Sequence, residues 1–233
     1  MNFPKNEPLV LSIGGSLIVP NGGPDTYFLK SLRKFVLAQV KNGRRLVLVT
    51  GGGRTARDYI DAADAVRKKV DPEDLDWLGI HSSRLNAHLV RTMFREIAHP
   101  VVVKNPPKTP KKWKGSVLVA AGWKPGWSTD YVSARIGKRL GVTNLINCSN
   151  IDYVYDVDPR KDKNAKPLPE LGWSEYRKMV GDEWSPGKSA PFDPVASRFC
   201  QRHKMDVAIV NGEDFTNISK LIRGQKFKGT VLS

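Results

Sequence analysis

The hydrophobic and polar positions of this chain follow two alternating patterns. Continuous apolar runs of strand length recur along it, at Leu9–Ile13, Leu46–Thr50, 101–103, 116–121, 143–148, 207–210 and 230–232. Amphipathic stretches separate these runs and predict helices over 26–40, from about 54, and over 71–98, 130–140, 174–180, 194–203 and 215–222. Buried strands that alternate with helices are typical of a mainly parallel sheet covered on both faces. The pattern therefore predicts the α/β class, with a central sheet in a three-layer α/β/α arrangement.

The longest predicted helix covers 71–98. Asp71 is suited to cap its first turn and Pro72 to occupy its first position, and acidic residues follow. Apolar residues recur along it at three- and four-residue spacing, at Leu75, Leu78, Leu85, Leu89, Met93 and Ile97. We expect this stripe either to pack within the subunit or to form a contact between subunits.

The 233-residue chain is long enough to bury a core without disulfides or metals. Its two cysteines, Cys148 and Cys200, have neither a CxxC nor a metal-ligand spacing, which favours a reducing compartment. The first residues contain no apolar signal region, and the longest apolar runs are too short to span a membrane. We therefore expect a soluble cytoplasmic protein with no membrane partner.

The net charge of +15 attracts polyanions, so nucleic acid has to be considered as a partner. The basic residues, however, are scattered over different predicted elements, at 44–45, 67–69 and 108–114. Aromatic residues are not interleaved with them along the sequence as in known nucleic-acid-binding modules. We expect most of this charge to be solvated and a minority to serve phosphate groups, and a nucleic-acid partner is not predicted.

Two glycine turns follow the first two apolar strands, at 14–15 and 51–53. Glycine lets backbone N–H groups approach phosphate oxygens, and open α/β sheets bind ligands beyond the carboxyl ends of their strands. Arg57 lies one turn into the helix after the second turn, where a guanidinium adds to the positive helix end. A tight strand-to-helix turn would explain either loop alone, but the pair favours phosphate binding. Neither loop has the spacing of a P-loop or of a GxGxxG fingerprint.

A third turn, 122–130, also lies between a predicted strand and a predicted helix. Ser128 or Thr129 is suited to cap the helix, and their hydroxyls could also bind the polar edge of a ring. A plain capped turn explains these residues equally well, so the residues alone leave both interpretations open.

Taken in order, these motifs resemble those of the amino acid kinase superfamily, and within it the archaeal-type uridylate (UMP) kinases. The similarity runs from Leu9 to Val231. The matching segments are 14–15, 51–53, 56–57, 79–80, 83–87, 125–126, 128–130, 149–152, 155, 158–159 and 192–194.

The resemblance implies phosphorylation of UMP to UDP by ATP through direct in-line transfer, as in pyrimidine nucleotide biosynthesis. It implies a single domain over 1–233, with an acceptor (UMP) lobe over 1–140 and an ATP lobe over 141–233. By resemblance, ATP would be bound by Gly14, Gly15, Ser16, Gly53, Arg57, Ser149, Asn150, Tyr155 and Asp158. UMP would be bound by Gly52, Asp76, Trp123, Lys124, Pro125, Gly126, Trp127, Ser128 and Thr129.

The resemblance also implies a cofactor, Mg²⁺, and an oligomeric state. Mg²⁺ carried with ATP would keep several waters and few protein ligands, so no metal ligand is predicted in the chain. Because the relatives form hexamers, built as trimers of dimers, a homo-oligomer is expected.

The chain departs from the superfamily on the first strand. Many members carry a lysine there or in its glycine turn, where this chain has Ser12 and Ser16. We predict that Arg57 and Lys188 supply the missing charge as catalytic residues. Asp193, which is also suited to cap the helix that follows it, is predicted to orient the nucleotide or the metal.

Two alternative functions stay open at this point. One is a kinase of the same superfamily that acts on another small acceptor, because acceptor choice depends on a few contacts. The other is a non-catalytic nucleotide- or RNA-binding regulator, which the charge and the missing strand lysine favour.

Overall fold

The computed structural model describes residues 1–183 and 190–233. The strands in this part of the chain are β1 (Leu9–Ile13), β2 (Leu46–Thr50), β3 (Val117–Ala120), β4 (Asn144–Ser149), β5 (Val154–Tyr155), β6 (Pro167–Leu168), β7 (Glu170–Leu171), β8 (Asp206–Asn211) and β9 (Thr230–Leu232). The helices are α1 (Gly15–Ile18), α2 (Thr26–Lys41), α3 (Gly53–Val66), α4 (Pro72–Met93), α5 (Thr129–Leu140), α6 (Trp173–Val180), α7 (Pro194–Arg202) and α8 (Phe215–Ile222). A short 3₁₀ turn covers Pro106–Lys108.

Seven strands form one sheet in the order β3-β2-β1-β4-β8-β9-β7. The first five are parallel neighbours, whereas β9 runs antiparallel to β8 and parallel to β7. The short strands β5 and β6 form a separate antiparallel pair. Because successive side chains of a strand point to opposite faces, each apolar run contributes to two cores. In β1, Leu9 and Leu11 belong to one core and Val10 to the other.

Helices cover both faces of this sheet. Residues of α2, α4 and α8 share a core with Leu9 and Leu11, and residues of α5, α6 and α7 share the other core with Val10. The predicted α/β class and the three-layer architecture are therefore confirmed. The parallel strands end at the same edge, so the turns after β1, β2, β3 and β4 meet there. None of the described helices is long and apolar enough to cross a membrane.

The predicted apolar stripe of the longest helix packs within the subunit only in part. Leu85 is 64% exposed, while Ile80, Ala87 and Val90 are buried together with polar residues of the same face. This face lies against the glycine turns and the neighbouring strands, where small and polar side chains fit and leucines do not. The helix also ends at Met93 rather than at 98, because the chain there turns into the edge of the sheet.

The strand predicted over 101–103 is also wrong. Val101 is 61% exposed, and Val103 makes only an isolated bridge to Ala120. The segment lies at the sheet edge next to β3, and prolines at 100, 106 and 107 cannot donate to a ladder. The edge therefore ends in single bridges instead of an eighth strand.

Candidate active site

The two glycine turns are packed against each other. Gly51 N–H donates to Ile13 O at 3.0 Å, which ties the turn after β2 to the end of β1. A Cβ on Gly15 would collide with the backbone of 51–53. Gly53 has a φ of +68°, and a Cβ there would collide with the carbonyl of Gly15. Both turns therefore need glycine, and the need comes from their mutual contact.

A cavity of about 350 Å³ opens beside these turns. Its walls come from the turns after β1 and β2, from α3 and α4, from the loop 122–130 and from the start of α7. Many of the predicted site residues line it: Gly15, Ser16, Gly52, Gly53, Arg57, Asp76, Trp127, Ser128, Thr129 and Asp193. The volume lies in the range of small-molecule sites, about 300–1,000 Å³.

Among the described residues that line the cavity, Arg57 alone carries a positive charge. Its Nη1 donates to Ser16 Oγ at 3.2 Å, so the guanidinium reaches from α3 to the turn after β1. A guanidinium between two glycine turns is suited to bind phosphate oxygens in a bidentate manner. The other predicted cation, Lys188, lies outside the described residues.

Two carboxylates meet on the opposite side of the cavity. Ser12 Oγ donates to Asp130 Oδ1 at 2.9 Å, and the backbone N–H of Asp193 donates to Asp130 Oδ2 at 3.2 Å. Asp193 caps α7 through Ala196 N–H, as its position before Pro194 predicts. Its second oxygen, Oδ2, is buried and makes no hydrogen bond of regular geometry, although the Ser128 hydroxyl is close enough to this carboxyl group to oppose the rise of its pKa. Ser12, which stands in place of the expected lysine, therefore fixes a carboxylate instead of supplying a charge.

Burial changes the proton affinity of this pair. Asp130 retains some accessible surface, but its carboxyl group is enclosed, and burial together with the charge of Asp193 raises its pKa to about 7. Hydrogen bonds from Ser12 and from the Asp193 backbone oppose this rise. Burial also raises the pKa of Asp193. Two carboxyl groups this close do not both ionise readily, which is common at functional sites.

Helix α4 holds the loop 122–130 by its backbone. Arg84 donates from Nε to Gly122 O at 3.2 Å and from Nη2 to Trp123 O at 2.8 Å. Asp76 Oδ2 accepts the N–H of Gly126 at 2.6 Å. The loop is therefore fixed at two points to one helix.

The same helix also holds the turn after β2. Asn86 Nδ2 donates to Gly51 O at 2.8 Å and to Gly52 O at 3.1 Å. Ser83 Oγ accepts the N–H of Gly122 at 2.9 Å. The buried polar side chains of α4 thus set the distance between the glycine turn and the loop.

Comparison with known proteins identifies the family to which this chain belongs. The family model described as "Amino acid kinase family" matches residues 7–211. The chain belongs to the amino acid kinase family. It is 34% identical to a protein named uridylate kinase from Hyperthermus butylicus, over 98% of this chain and 99% of the relative. A uridylate kinase from Pyrococcus abyssi is 35% identical over 96% and 98%. The crystal structure of uridylate kinase from Archaeoglobus fulgidus aligns with a TM-score of 0.80 and 27% identity, over 97% of this chain and all of that one.

The remaining described residues that were predicted from the amino acid kinase family do not line the cavity. Gly14 is next to Ser149, at the ends of β1 and β4, and Asn150 follows there. Tyr155 belongs to the β5–β6 pair, and Asp158 accepts hydrogen bonds from Arg160 at the surface. The other four, Trp123, Lys124, Pro125 and Gly126, belong to the loop that α4 anchors.

Sequence reasoning missed several residues that shape this amino acid kinase site. Ser12 and Asp130 form the carboxylate network, and Ser83, Arg84 and Asn86 fix the loops. One signal was available for Ser12, because a hydroxyl inside an apolar strand needs a buried partner. For Asp130 no such signal existed, since an acidic residue in the first turn of a helix is fully explained by the helix dipole.

Proposed function

We propose that this amino acid kinase is a UMP kinase, which transfers the γ-phosphoryl group of MgATP to UMP. A phosphate oxygen of UMP bonds to the γ-phosphorus while the bond from that phosphorus to the β–γ bridging oxygen breaks. The products are UDP and MgADP. Such a transfer depends on positioning and charge neutralisation more than on a general base.

The observation that carries this proposal is the meeting of two glycine turns, Arg57 and the anchored loop 122–130 in one cavity. The turns offer unobstructed backbone N–H groups to the phosphates of ATP. The loop forms the facing wall, where the acceptor nucleotide has to lie. The full-length similarity to proteins named uridylate kinase supports UMP as that acceptor.

In this proposal ATP lies along Gly14, Gly15 and Ser16, with its nucleoside towards Ser149 and Tyr155. Mg²⁺ enters with ATP and keeps most of its waters, so the ion is part of the substrate. Asp193 suits a position beside it, because Oδ2 is a buried acceptor that makes no hydrogen bond of regular geometry and the residue lines the cavity. In the described part of the chain no group of three or more His, Cys, Asp or Glu side chains could hold a metal by itself.

The test is an ADP-release assay with MgATP and a panel of UMP, CMP, dTMP, GMP and AMP. We expect selective turnover with UMP. Arg57→Ala should lower kcat by about 10²- to 10³-fold, because a donor to developing charge is lost. Arg67→Ala, at the exposed end of α3, is the control with the same change of charge and should stay close to wild type.

Other outcomes distinguish the alternatives. Turnover with a different acceptor would keep the kinase and replace its substrate. ATP binding without turnover of any nucleotide would contradict the proposal. Equal losses in Arg57→Ala and Arg67→Ala would show that net charge, rather than a phosphate contact, is responsible.

We further propose that subunits meet through α3 and α4. Helix α3 is amphipathic but buries none of its residues within the subunit. Tyr59 and Val66 on α3 are 62% and 89% exposed, and Leu85 on the neighbouring α4 is 64% exposed. Large apolar side chains that stay exposed on two neighbouring helices favour an interface. A hexamer built as a trimer of dimers, as implied by resemblance, would use this surface for one of its two contacts.

The oligomer proposal is tested by mass photometry across a range of concentrations. Val66→Glu combined with Leu85→Glu should shift the particles to a smaller assembly, because each places a charge in an apolar contact. Val101→Glu combined with Val157→Glu, which alters side chains that are 61% and 48% exposed elsewhere, is the matched control. A wild-type monomer at micromolar concentration would contradict the proposal.

A further inference from the structure

Cations that lie apart in the sequence come together on one face of the molecule. The 3₁₀ turn Pro106–Lys108 packs against α5, and Arg139 Nε donates to Thr109 O at 3.3 Å. On its other side α5 packs against α7. We define the α5 basic face by seven cations: Lys108 of the 3₁₀ turn, Lys111 and Lys112 in the segment that follows it, Arg135, Lys138 and Arg139 of α5, and Arg202 of α7.

Within the described residues, none of these cations forms a salt bridge. Between 97 and 151 the only acidic residue is Asp130, which belongs to the cavity. The salt bridges of the described residues lie elsewhere; they are Arg54–Asp58, Arg160–Asp158 and Arg177–Asp182. Burial, and after it the charges of Lys138, Arg202 and Arg135, lower the pKa of His203. Like charges gathered in this way repel one another unless an anion joins them.

Aromatic rings alternate with the cations at the end of this face nearest to the loop 122–130. The guanidinium of Arg135 lies 5.8 Å from the ring centres of Trp123 and Tyr131, and 5.6 Å from that of Phe199. Lys124 Nζ lies 4.9 Å from the ring of Trp123, which is half-buried. Rings interleaved with cations are what single-strand binders use, since bases stack on the rings and phosphates meet the cations.

We propose that the α5 basic face binds single-stranded nucleic acid, with phosphates on its cations and a base against Trp123. The face does not contribute its cations to the cavity, so it would act beside the kinase site and not through it. The sequence predicted no such partner because its basic segments are separate along the chain. The packing of α5 between the 105–113 segment and α7 is what joins them.

The first experiment measures fluorescence anisotropy of a labelled 20-nucleotide single strand, in RNA and in DNA form, as salt is varied. For single strands the logarithm of the binding constant falls with the logarithm of salt by about 0.7 per phosphate neutralised. Replacing Lys108, Lys111, Lys112 and Lys138 by Gln should therefore reduce this slope by up to about 3 and weaken binding at low salt at least about tenfold. Comparing the RNA and DNA arms shows whether the 2′-hydroxyl matters.

The matched control replaces Lys30, Lys34, Lys41 and Lys220 by Gln. These exposed lysines lie on or at the ends of α2 and α8, in the helix layer on the other side of the sheet, and the change of net charge is the same. Binding by the control variant should stay within about twofold of wild type, because those charges are more than a Debye length away across the sheet. Kinase activity of both variants reports that the fold is intact.

A second variant separates stacking from charge. Trp123→Ala should weaken binding about fivefold or more without altering the salt slope, because a ring contributes stacking and no charge. Wild-type binding is also measured with saturating MgADP and UMP, and it should persist if the face and the cavity are separate sites.

Several results would overturn the proposal. They are the absence of saturable binding at about 0.1 M salt, equal losses in the two fourfold lysine variants, and tighter binding of a duplex than of a single strand. Competition by MgADP and UMP would assign the binding to the cavity instead. Vesicles of anionic lipid that bind as tightly, with the same loss in the Lys108/Lys111/Lys112/Lys138 variant, would identify a membrane surface in place of a nucleic-acid site.

Discussion

Asp130 occupies a position where a hydroxyl, a backbone N–H and a second carboxylate converge. Ser12 and the backbone of Asp193 stabilise its ionised form, yet enclosure and the charge of Asp193 outweigh them and raise its pKa to about 7. Because the folded pKa is raised, the carboxyl group stabilises the fold fully below pH 4. That contribution is lost progressively as the pH rises from about 4 to about 7.

We predict that Asp130→Asn removes this dependence on pH. An amide retains both contacts, since its Oδ1 accepts from Asp193 N–H and its Nδ2 donates to the Ser12 hydroxyl. The variant should match wild type near pH 4 and exceed its free energy of unfolding by up to about 4 kcal/mol at pH 8. Urea denaturation at both pH values measures the difference.

Asp64→Asn, which alters an exposed carboxylate on α3, is the control for this experiment. It should leave the difference between pH 4 and pH 8 as in wild type. An Asp130→Asn protein that loses stability with pH as steeply as wild type would contradict the assignment of this loss to Asp130.

For single residues, the sequence predicted cavity positions where the backbone turn admits only glycine. It missed residues whose role depends on a partner far away in the sequence. Gly15 and Gly53 are recognisable because few other residues fit a phosphate turn. Ser12 and Asp130 are 118 positions apart, and only the parallel sheet brings them together. Nothing local in the sequence encodes that contact.

At the scale of secondary-structure elements, the contact between the two glycine turns contributes to the stability of the fold. We predict that Gly15→Ala lowers the free energy of unfolding by at least about 2 kcal/mol, since the added methyl group meets backbone atoms that cannot move aside. Gly79→Ala is the same substitution inside α4, where a Cβ would have no neighbour within 4 Å. It should stabilise the protein by about 0.5–1 kcal/mol through the helix propensity of alanine. Chemical denaturation of both variants measures the contrast, and equal effects would contradict it.

A second prediction at this scale concerns the anchoring of the loop 122–130. Arg84→Ala removes two hydrogen bonds to loop carbonyls, so the loop should lose its position. We expect KM for UMP to rise about tenfold, which corresponds to the loss of about 1.4 kcal/mol of binding, while KM for ATP changes less than about twofold.

Two further variants complete this experiment. Arg84→Lys should recover part of the loss, because an ammonium group cannot reach both carbonyls in the fixed geometry of a guanidinium. Arg95→Ala, just beyond α4 and exposed, should keep both KM values. Parallel increases in the two KM values of Arg84→Ala would point to general unfolding rather than to the loop.

The existence and type of the longer elements were predictable because apolar runs and helical spacing report burial directly. The buried face of α4 was not, since burial there selects Ser83, Asn86 and Ala87 rather than leucine. Periodicity in hydrophobicity identifies a face that meets an apolar core. A face that meets backbone turns has a polar and small-residue pattern, which resembles a solvated surface in the sequence.

At the scale of the whole molecule, the predicted acceptor and ATP lobes share the centre of one sheet. A boundary near Gly141 separates β1 from β4 in the sequence, yet these two strands are paired neighbours with four residues of each in register. β1 is entirely buried, and it contributes to the cores on both faces. The two lobes therefore cannot keep separate cores.

We predict that residues 1–233 unfold in a single cooperative transition. Calorimetric and van't Hoff enthalpies per subunit should agree under conditions where the oligomeric state does not change. A fragment covering 1–140 should not give a dispersed NMR spectrum, because β1 would lose its partner β4. Two separate transitions, or a folded fragment, would contradict the single-domain assignment.

The contacts that hold the loop 122–130 have one property in common. Arg84, Ser83 and Asp76 all bind main-chain atoms of the loop, namely the carbonyls of 122–123 and the N–H groups of Gly122 and Gly126. Main-chain atoms are the same whichever side chains the loop carries. A library randomised at 127 and 129, where the loop lines the cavity, would therefore change the side chains presented to the acceptor while these main-chain contacts stay in place. The preference for an acceptor could then change without any change in the glycine turns that we propose to bind ATP.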